Sequence, residues 1–307
     1  MKDKSLDITA IGKLKKIIKE VQPDIVHTHA SLSARIAARI YKNCKIVFTR
    51  HCDFPASSKY KYKIVQKINK LLNESLTDKI IATSEMAKEN LIKQGLSDSL
   101  IEIVLNGVDG LKENSLDEKK TLKEKYNIKE EIVVGYLARI EELKGHKYLI
   151  EAANILKDKK FKFLIMGSGT YEETAKNMVK ELNLEDSVIF TGFIKDVEKM
   201  LNIVDIQINA SYLSETTNLA LLEGMSLGIP TVATKCGGTP KMITDWENGL
   251  LVEKASSEAL AEGIEKIIEN KEKFDKMKET SKKIFKERYT SKVYASNIEK
   301  IYESMVK

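Results

Sequence analysis

The sequence predicts an α/β protein of two doubly wound domains with mostly parallel sheets. Nine short apolar or β-branched segments alternate with longer segments of helical periodicity along the 307 residues. A polar, charge-rich stretch at residues 111–130 divides them into a group of four and a group of five, and we interpret it as a linker. The 42% apolar content suits a sizeable core, and the length suffices for two ordinary domains.

The first group defines a domain over residues 1–110, which opens with a helix at Asp7–Glu20. Its expected strands are Asp24–His27, Lys45–Thr49, Lys79–Thr83 and Ile101–Leu105. A strand with a Gly-rich turn ordinarily begins a doubly wound domain that handles nucleotides or sugars, and none precedes this helix. We therefore expect this domain to be incomplete at its start and to expose a sheet edge.

The second group defines a domain over residues 131–288. Its expected strands are Glu131–Tyr136, Lys162–Met166, Ser187–Thr191, Ile206–Ala210 and Pro230–Thr234. Between the first two strands, a helix at Lys147–Lys157 carries an apolar stripe of Leu149, Ala152, Ala153 and Leu156. Residues 289–307 predict one further amphipathic helix.

The excess of positive charge lies entirely in the first third of the chain. Residues 1–110 hold 19 Lys and Arg against 12 Asp and Glu, whereas the remainder holds 32 against 33. Such a surface suits an anionic membrane face or a phosphate-bearing substrate, and no recognised motif supports nucleic acid as a partner. Three unpaired cysteines, no membrane-spanning run and no signal-peptide core lead us to expect a cytoplasmic protein.

The Lys- and Tyr-rich segment Lys59–Leu72 is the local candidate for membrane contact, because it is basic and amphipathic. Such a helix could lie on a bilayer at the inner face of the cell membrane. The alternative is an ordinary surface helix that packs Ile64, Val65, Ile68 and Leu71 inward.

The segment 214–234 predicts an anion site at the start of a helix. Asn218 or Thr217 can cap a helix that ends before Gly228. The first free N–H groups then belong to residues near Leu219 and Ala220, where small preceding residues would admit a diphosphate.

Two glutamates flank this helix start. Glu223 lies about a turn inside the helix, where a carboxylate can accept hydrogen bonds from a diol such as ribose. Glu215 precedes the helix, where it could meet a sugar attached to the phosphate. The alternative is that both are solvated charges.

Two cations follow the strand at the start of the second domain. The chain has only five Arg against 46 Lys, so Arg139 in a loop indicates a specific role. Arg139 and Lys144 at the carboxyl end of a parallel strand suit a diphosphate leaving group, although they could also be surface cations beside Glu141 and Glu142. Gly167, in a strand-to-helix turn, indicates a tight turn.

Histidines lie near the strand ends of the first domain. His51 falls just past a strand, on the ligand side of a parallel sheet, although a lone histidine is more often structural. His27 and His29 lack a third ligand, so a metal site is not predicted there. The chain also contains no Asp-x-Asp, the simplest bridge between a diphosphate and a metal.

These motifs, in this order, resemble the retaining glycosyltransferases of family 4. The motifs that carry the resemblance are PDIVHTH, VFTRHCDFP, IIATSEMAKENL, VLNGVD, GYLARIEELKGH, FTGFIKDV, the Glu215-x₇-Glu223 segment, TKCGGTPKMI and ENGLLV. The resemblance implies the GT-B fold, two facing Rossmann-like domains with a C-terminal helix that packs back toward the first. It further implies transfer of a sugar from a nucleotide-sugar donor with retention of anomeric configuration.

The resemblance also implies a division of roles within the donor site. Arg139 and Lys144 would hold the donor diphosphate, so no metal or other cofactor is expected. The backbone and turn residues of the donor site would be Gly167, Asn218, Leu219 and Ala220.

Around the sugar and the nucleoside, the resemblance implies that Glu223 binds the ribose and that Glu215 contacts the transferred sugar. Phe193 and Ile194 would lie beside the base, and His51 would face the sugar across the cleft. The residues expected to act in catalysis are therefore His51, Arg139, Lys144 and Glu215.

Two departures from the family pattern bear on function. Lys241 stands where family members commonly place a glutamate, and the chain begins just upstream of PDIVHTH, so we expect a truncated first domain. The leading hypothesis is a glycosyltransferase with a cell-envelope glycolipid or polysaccharide acceptor. The alternatives are a catalytically inert nucleotide-sugar-binding fragment and a nucleotide-sugar 2-epimerase of the same fold.

Overall fold

The computed structural model describes residues 6–51, 57–213 and 217–306. The chain divides into two compact units. Unit one comprises residues 1–106 and 292–307, and unit two comprises residues 107–291.

Unit one is a parallel sheet with helices on both faces. Its strands are β1 (Ile25–His29), β2 (Lys45–Arg50), β3 (Lys79–Ala82) and β4 (Ile101–Ile103), adjacent in that order. Its helices are α1 (Ile8–Val21), α2 (Leu32–Tyr41), α3 (Lys63–Ser75), α4 (Glu85–Lys93) and, from the end of the chain, α13 (Ser291–Val306).

The two faces of this sheet bury alternate residues of each strand. On one face, Ile46 packs in a cluster with α2, and Ile80 packs in a cluster with α4. On the other face, Ile298 and Ile301 of α13 pack in a cluster with Val47. The predicted C-terminal helix therefore completes the core of unit one.

Unit two is a larger parallel sheet, with the strand order β10-β9-β8-β5-β6-β7. The strands are β5 (Ile132–Leu137), β6 (Phe161–Met166), β7 (Val188–Gly192), β8 (Ile206–Asn209), β9 (Thr231–Thr234) and β10 (Gly249–Val252). The helices are α5 (Leu116–Lys125), α6 (His146–Ile155), α7 (Glu172–Glu181), α8 (Val197–Leu201), α9 (Leu219–Leu227), α10 (Thr239–Met242), α11 (Ser257–Glu269) and α12 (Lys271–Arg288). The strand order reverses between β5 and β8, and ligands bind α/β sheets at such a point.

Residues 111–130 differ from the predicted linker. They contain α5, which begins with a capping box in which Ser115 and Glu118 bond reciprocally. Ile128 is buried in a core cluster of unit two, against which Leu122 and Tyr126 pack. The segment therefore belongs to unit two, because its few apolar residues suffice to hold a polar helix against the core.

The structure corrects the sequence analysis at two further points, a missed strand and the packing of one helix. β10 was not predicted as a strand, because it begins with a glycine and contains only one β-branched residue, Val252. The alternative that packs the apolar residues of Lys59–Leu72 inward is wrong, since Ile64, Ile68 and Leu71 are exposed and Val65 is only half-buried. Among the described residues, no helix combines the length and apolar character that crossing a bilayer requires.

Candidate functional site

A cavity of about 700 Å³ lies in unit two at the carboxyl ends of β5, β6 and β7 and the start of α9. The structure brings nine predicted donor-binding residues into its lining: Arg139, Lys144, Gly167, Phe193, Ile194, Asn218, Leu219, Ala220 and Glu223. Sequence reasoning missed the remaining lining residues, Leu137, Ala138, Met166, Ser168 and Val197, which are strand ends or apolar helix positions without a distinctive signal. The predicted residue Glu215 lies outside the described residues.

Backbone hydrogen bonds tie the three strand ends together. The Ile140 N–H donates to the Ser168 carbonyl at 2.9 Å, and the Gly167 N–H donates to the Gly192 carbonyl at 2.9 Å. Gly167 has φ +143°, and a Cβ there would lie 2.0 Å from the Ala138 carbonyl oxygen. The glycine thus permits the loops after β5 and β6 to touch, a stronger requirement than the tight turn predicted.

The loop that carries Lys144 is fixed at its main chain. The Tyr136 hydroxyl donates to the Lys144 carbonyl at 2.6 Å. The next residue, Gly145, has φ +71°, and a Cβ there would lie 2.1 Å from the Ala210 carbonyl oxygen. Lys144 therefore extends from a loop held against β5 and the end of β8.

Helix α9 begins and ends as predicted. Of the two candidate caps, Asn218 is the one that acts: its side-chain oxygen accepts from the Leu221 N–H at 3.3 Å. Gly228 follows the helix in the left-handed conformation, with φ 77°. The N–H groups of Leu219 and Ala220 belong to the first turn, which has no carbonyl of its own helix to bond, and both residues line the cavity.

Glu223 and Phe193 provide the other chemistry of the cavity. Burial raises the pKa of the Glu223 carboxyl, which lies one turn inside α9. Phe193 is 77% exposed, so its ring is available to a flat ligand. The cavity thus combines two cations, a helix N-terminus, a half-buried carboxyl and an open aromatic ring.

His146, the first residue of α6, is fully buried with its ring 4.8 Å from that of Tyr136. Burial lowers its pKa from 6.5 to about 4. The imidazole of the unfolded chain therefore binds a proton more tightly than that of the folded protein. His146 leaves the free energy of unfolding at its full value above pH 6.5 and lowers it as the pH falls toward 4. The shift corresponds to about 3 kcal/mol.

We expect His146→Phe, which keeps a ring but cannot titrate, to lose about 3 kcal/mol less stability than the natural protein over this acid range. Urea unfolding between pH 4 and 7 measures the difference. The exposed neighbour variant Lys147→Gln should follow the natural protein. Parallel loss of stability in His146→Phe would show that another group controls the acid response.

In unit one, three histidines gather at the ends of β1 and β2. His29 Nδ1 lies 2.6 Å from His51 Nε2, and the ring of His27 stacks on that of His29 at 4.7 Å. Burial, and next the charge of His29, lower the pKa of His51. In the described ranges, no group of three or more His, Cys, Asp or Glu side chains is arranged to hold a metal ion.

A second cavity of unit two, about 720 Å³, lies at the opposite, amino-terminal ends of the strands. Asp205, directly before β8, and Ile229, two residues before β9, line it, together with lysines of α5 and α12. None of the predicted site residues lies there. Lys241, the departure noted in the sequence, lies in α10 and is not among the residues that line the 700 Å³ cavity.

Comparisons with known proteins agree with this arrangement. The family model described as glycosyl transferases group 1 matches residues 118–284, and that of glycosyltransferase family 4 matches residues 1–110. An uncharacterized glycosyltransferase of Haemophilus influenzae is 30% identical over 277 residues, which cover 88% of this chain and 74% of that protein.

Two further relatives have more specific names. The UDP-Gal:alpha-D-GlcNAc-diphosphoundecaprenol alpha-1,3-galactosyltransferase of Escherichia coli is 28% identical, over 86% of this chain and 71% of its own length. The crystal structure of Anabaena HepE in complex with UDP matches with a TM-score of 0.86 and 22% identity, over 96% of this chain and 82% of that one. The fold of the chain is therefore GT-B, and the chain belongs to the group 1 glycosyl transferases and is a glycosyltransferase.

Proposed function

We propose that this glycosyltransferase moves a hexose from a nucleotide-sugar donor to its acceptor with retention of anomeric configuration. The observation that carries the proposal is the 700 Å³ cavity, in which Arg139, Lys144 and the start of α9 converge. The complex of Anabaena HepE with UDP supports the choice of donor class.

The chemistry of the proposed reaction explains this set of groups. When the sugar leaves, negative charge builds on the nucleoside diphosphate, and fixed cations and helix N–H groups stabilise that charge. Glu223 would accept hydrogen bonds from the ribose, and Phe193 with Ile194 would contact the base. Glu215 would contact the transferred sugar.

We propose that the acceptor is a lipid-linked or polysaccharide precursor of the cell envelope. The Escherichia coli relative, named for a diphosphoundecaprenol acceptor, supports this choice. Both substrates would then meet at the cytoplasmic face of the membrane, where the protein would bind peripherally to anionic lipid.

The test of the donor class is calorimetric binding of UDP-, GDP- and ADP-sugars with and without EDTA. We expect one nucleotide series to bind and EDTA to change the affinity less than twofold, because Arg139, Lys144 and the helix start supply the positive charge that a metal would otherwise supply. We expect Glu223→Gln to weaken binding by about tenfold, since it replaces a charged acceptor for the ribose hydroxyls.

The matched control is Glu181→Gln, which changes a carboxylate at the end of α7, outside the lining of the cavity. If the two substitutions change the affinity for the nucleotide sugar equally, Glu223 does not bind the donor. If EDTA abolishes binding, the donor site requires a metal ion. If an epimerised nucleotide sugar forms when no acceptor is present, the reaction is epimerisation and not sugar transfer.

A further inference from the structure

Helix α3 turns its apolar face to solvent. Ile64, Ile68 and Leu71 are 64%, 61% and 74% exposed, and Leu72 beside them is also exposed. Their spacing of i, i+4, i+7 and i+8 places them on one continuous face over two turns. We call these four residues the α3 apolar face.

The opposite, inward side of α3 is polar and hydrogen-bonded. Gln66 Nε2 donates to the Tyr60 carbonyl at 2.7 Å, and Asn69 Nδ2 donates to the Gln94 carbonyl at 2.9 Å. The Asn73 side-chain oxygen accepts from the buried Arg35 of α2 at 2.9 Å. The helix is therefore fixed to the protein by amide side chains, the reverse of the usual surface helix, whose apolar face packs on the core.

Positive charge surrounds the α3 apolar face. Between residues 57 and 73 the chain contains no Asp or Glu, and the exposed lysines are Lys59, Lys61, Lys63, Lys67 and Lys70. The first acidic residue, Glu74, accepts a hydrogen bond from the Ser97 N–H. The exposed Tyr62 precedes the helix, and tyrosine suits a boundary between an apolar and an aqueous phase.

These charges distinguish between the possible partners of the α3 apolar face. A second copy of the chain would bring one lysine cluster against another, and like charges across an interface disfavour association. An anionic bilayer offers both complements at once, acyl chains for the apolar face and lipid phosphates for the lysines. We propose that α3 is an interfacial helix that lies in the surface of an anionic membrane through this face.

The experiment measures binding to phosphatidylglycerol-containing and pure phosphatidylcholine vesicles by co-sedimentation, at low and high salt. We expect binding to the anionic vesicles to be at least tenfold stronger and to fall with salt. Ile68→Gln with Leu71→Gln should weaken it at least tenfold. Lys61→Gln, Lys63→Gln and Lys67→Gln together should weaken it on the order of a hundredfold at low salt.

Matched controls change the same residue types elsewhere. They are Leu116→Gln with Ile155→Gln for the exposed apolar residues, and Lys276→Gln, Lys283→Gln and Lys286→Gln for the exposed lysines. Both sets should bind vesicles as the natural protein does.

A second readout reports insertion directly. Leu71→Trp, in a Trp246→Phe background that removes the one natural tryptophan, should shift its emission to the blue on anionic vesicles only.

Equal binding to both vesicle types, no binding, or α3 variants that match the controls would overturn the proposal. If the protein self-associates, does not bind vesicles, and loses its self-association in the Ile68 and Leu71 variants, the α3 apolar face binds a second copy of the chain and not a membrane. The inference rests on the proposed function only where it concerns a lipid-linked acceptor. Vesicle binding requires no donor, so calorimetry on the same variants separates failure of the membrane surface from failure of the donor site.

Discussion

Alanine at Arg139 should lower kcat/KM for sugar transfer by about a hundredfold or more. Arg139 follows β5 and lines the cavity that we assign to the donor. A guanidinium can bind a diphosphate with two hydrogen bonds, and charge on that diphosphate grows as the sugar leaves. The loss should therefore fall mainly in kcat, with a smaller change in the affinity for the free nucleoside diphosphate. We expect a similar loss for Lys144→Ala, which keeps the main-chain carbonyl that Tyr136 binds.

The conservative variant and a neighbour control this prediction. Arg139→Lys keeps the charge but loses the bidentate geometry, so it should recover only part of the rate. Lys147→Ala removes an exposed cation of α6 outside the cavity lining and should leave kcat/KM unchanged. A loss below threefold in both Arg139→Ala and Lys144→Ala would exclude these cations from the chemistry.

The parts of the site that the sequence predicts best are local in the chain. The Asn218 cap, the Gly228 terminus and the loop cations after β5 each depend on a few consecutive residues, because caps and strand ends are defined by local hydrogen bonding. The stripe of Leu149 and Ala152 likewise follows from helical periodicity, and both are buried in α6.

The parts that the sequence could not predict depend on contacts between distant segments. The contact of His29 with His51 depends on the register that pairs His29 with Thr49, which neither strand alone specifies. Periodicity correctly divides α3 into an apolar and a polar face, but it does not predict which face packs against the rest of unit one. The polar face does so, because amides such as Gln66 donate hydrogen bonds to carbonyls outside the helix.

Gly224→Ala should destabilise the protein by about 2–4 kcal/mol, although alanine is normally preferred to glycine within a helix by about 1 kcal/mol. Gly224 lies in α9, and a Cβ there would lie 1.8 Å from Gln207 Oε1. Gln207 is buried in β8, and its Nε2 donates to the Ala220 carbonyl at 2.6 Å, in the first turn of the helix. The methyl group would displace this amide and, with it, the start of α9 that we assign to the diphosphate.

The same contact predicts a rescue. Among the described residues, Gln207 Oε1 has no hydrogen-bond partner, so Gln207→Val removes an unsatisfied buried oxygen and suits a strand. We expect Gln207→Val, added to Gly224→Ala, to restore about 2 kcal/mol or more of the stability that Gly224→Ala loses. Urea unfolding measures both this rescue and the effect of each single substitution. We expect Gly224→Ala also to weaken nucleotide binding, because it displaces the start of α9, and Gln207→Val to restore part of that affinity.

The control for helix propensity is Gly12→Ala in α1, where a Cβ would meet no atom within 4 Å. It should stabilise the protein by up to about 1 kcal/mol. If Gly224→Ala behaved like Gly12→Ala, the Gln207 amide would be free to move and the start of α9 would not depend on it. A destabilised Gly224→Ala that Gln207→Val failed to rescue would place the obstacle in the α9 backbone instead.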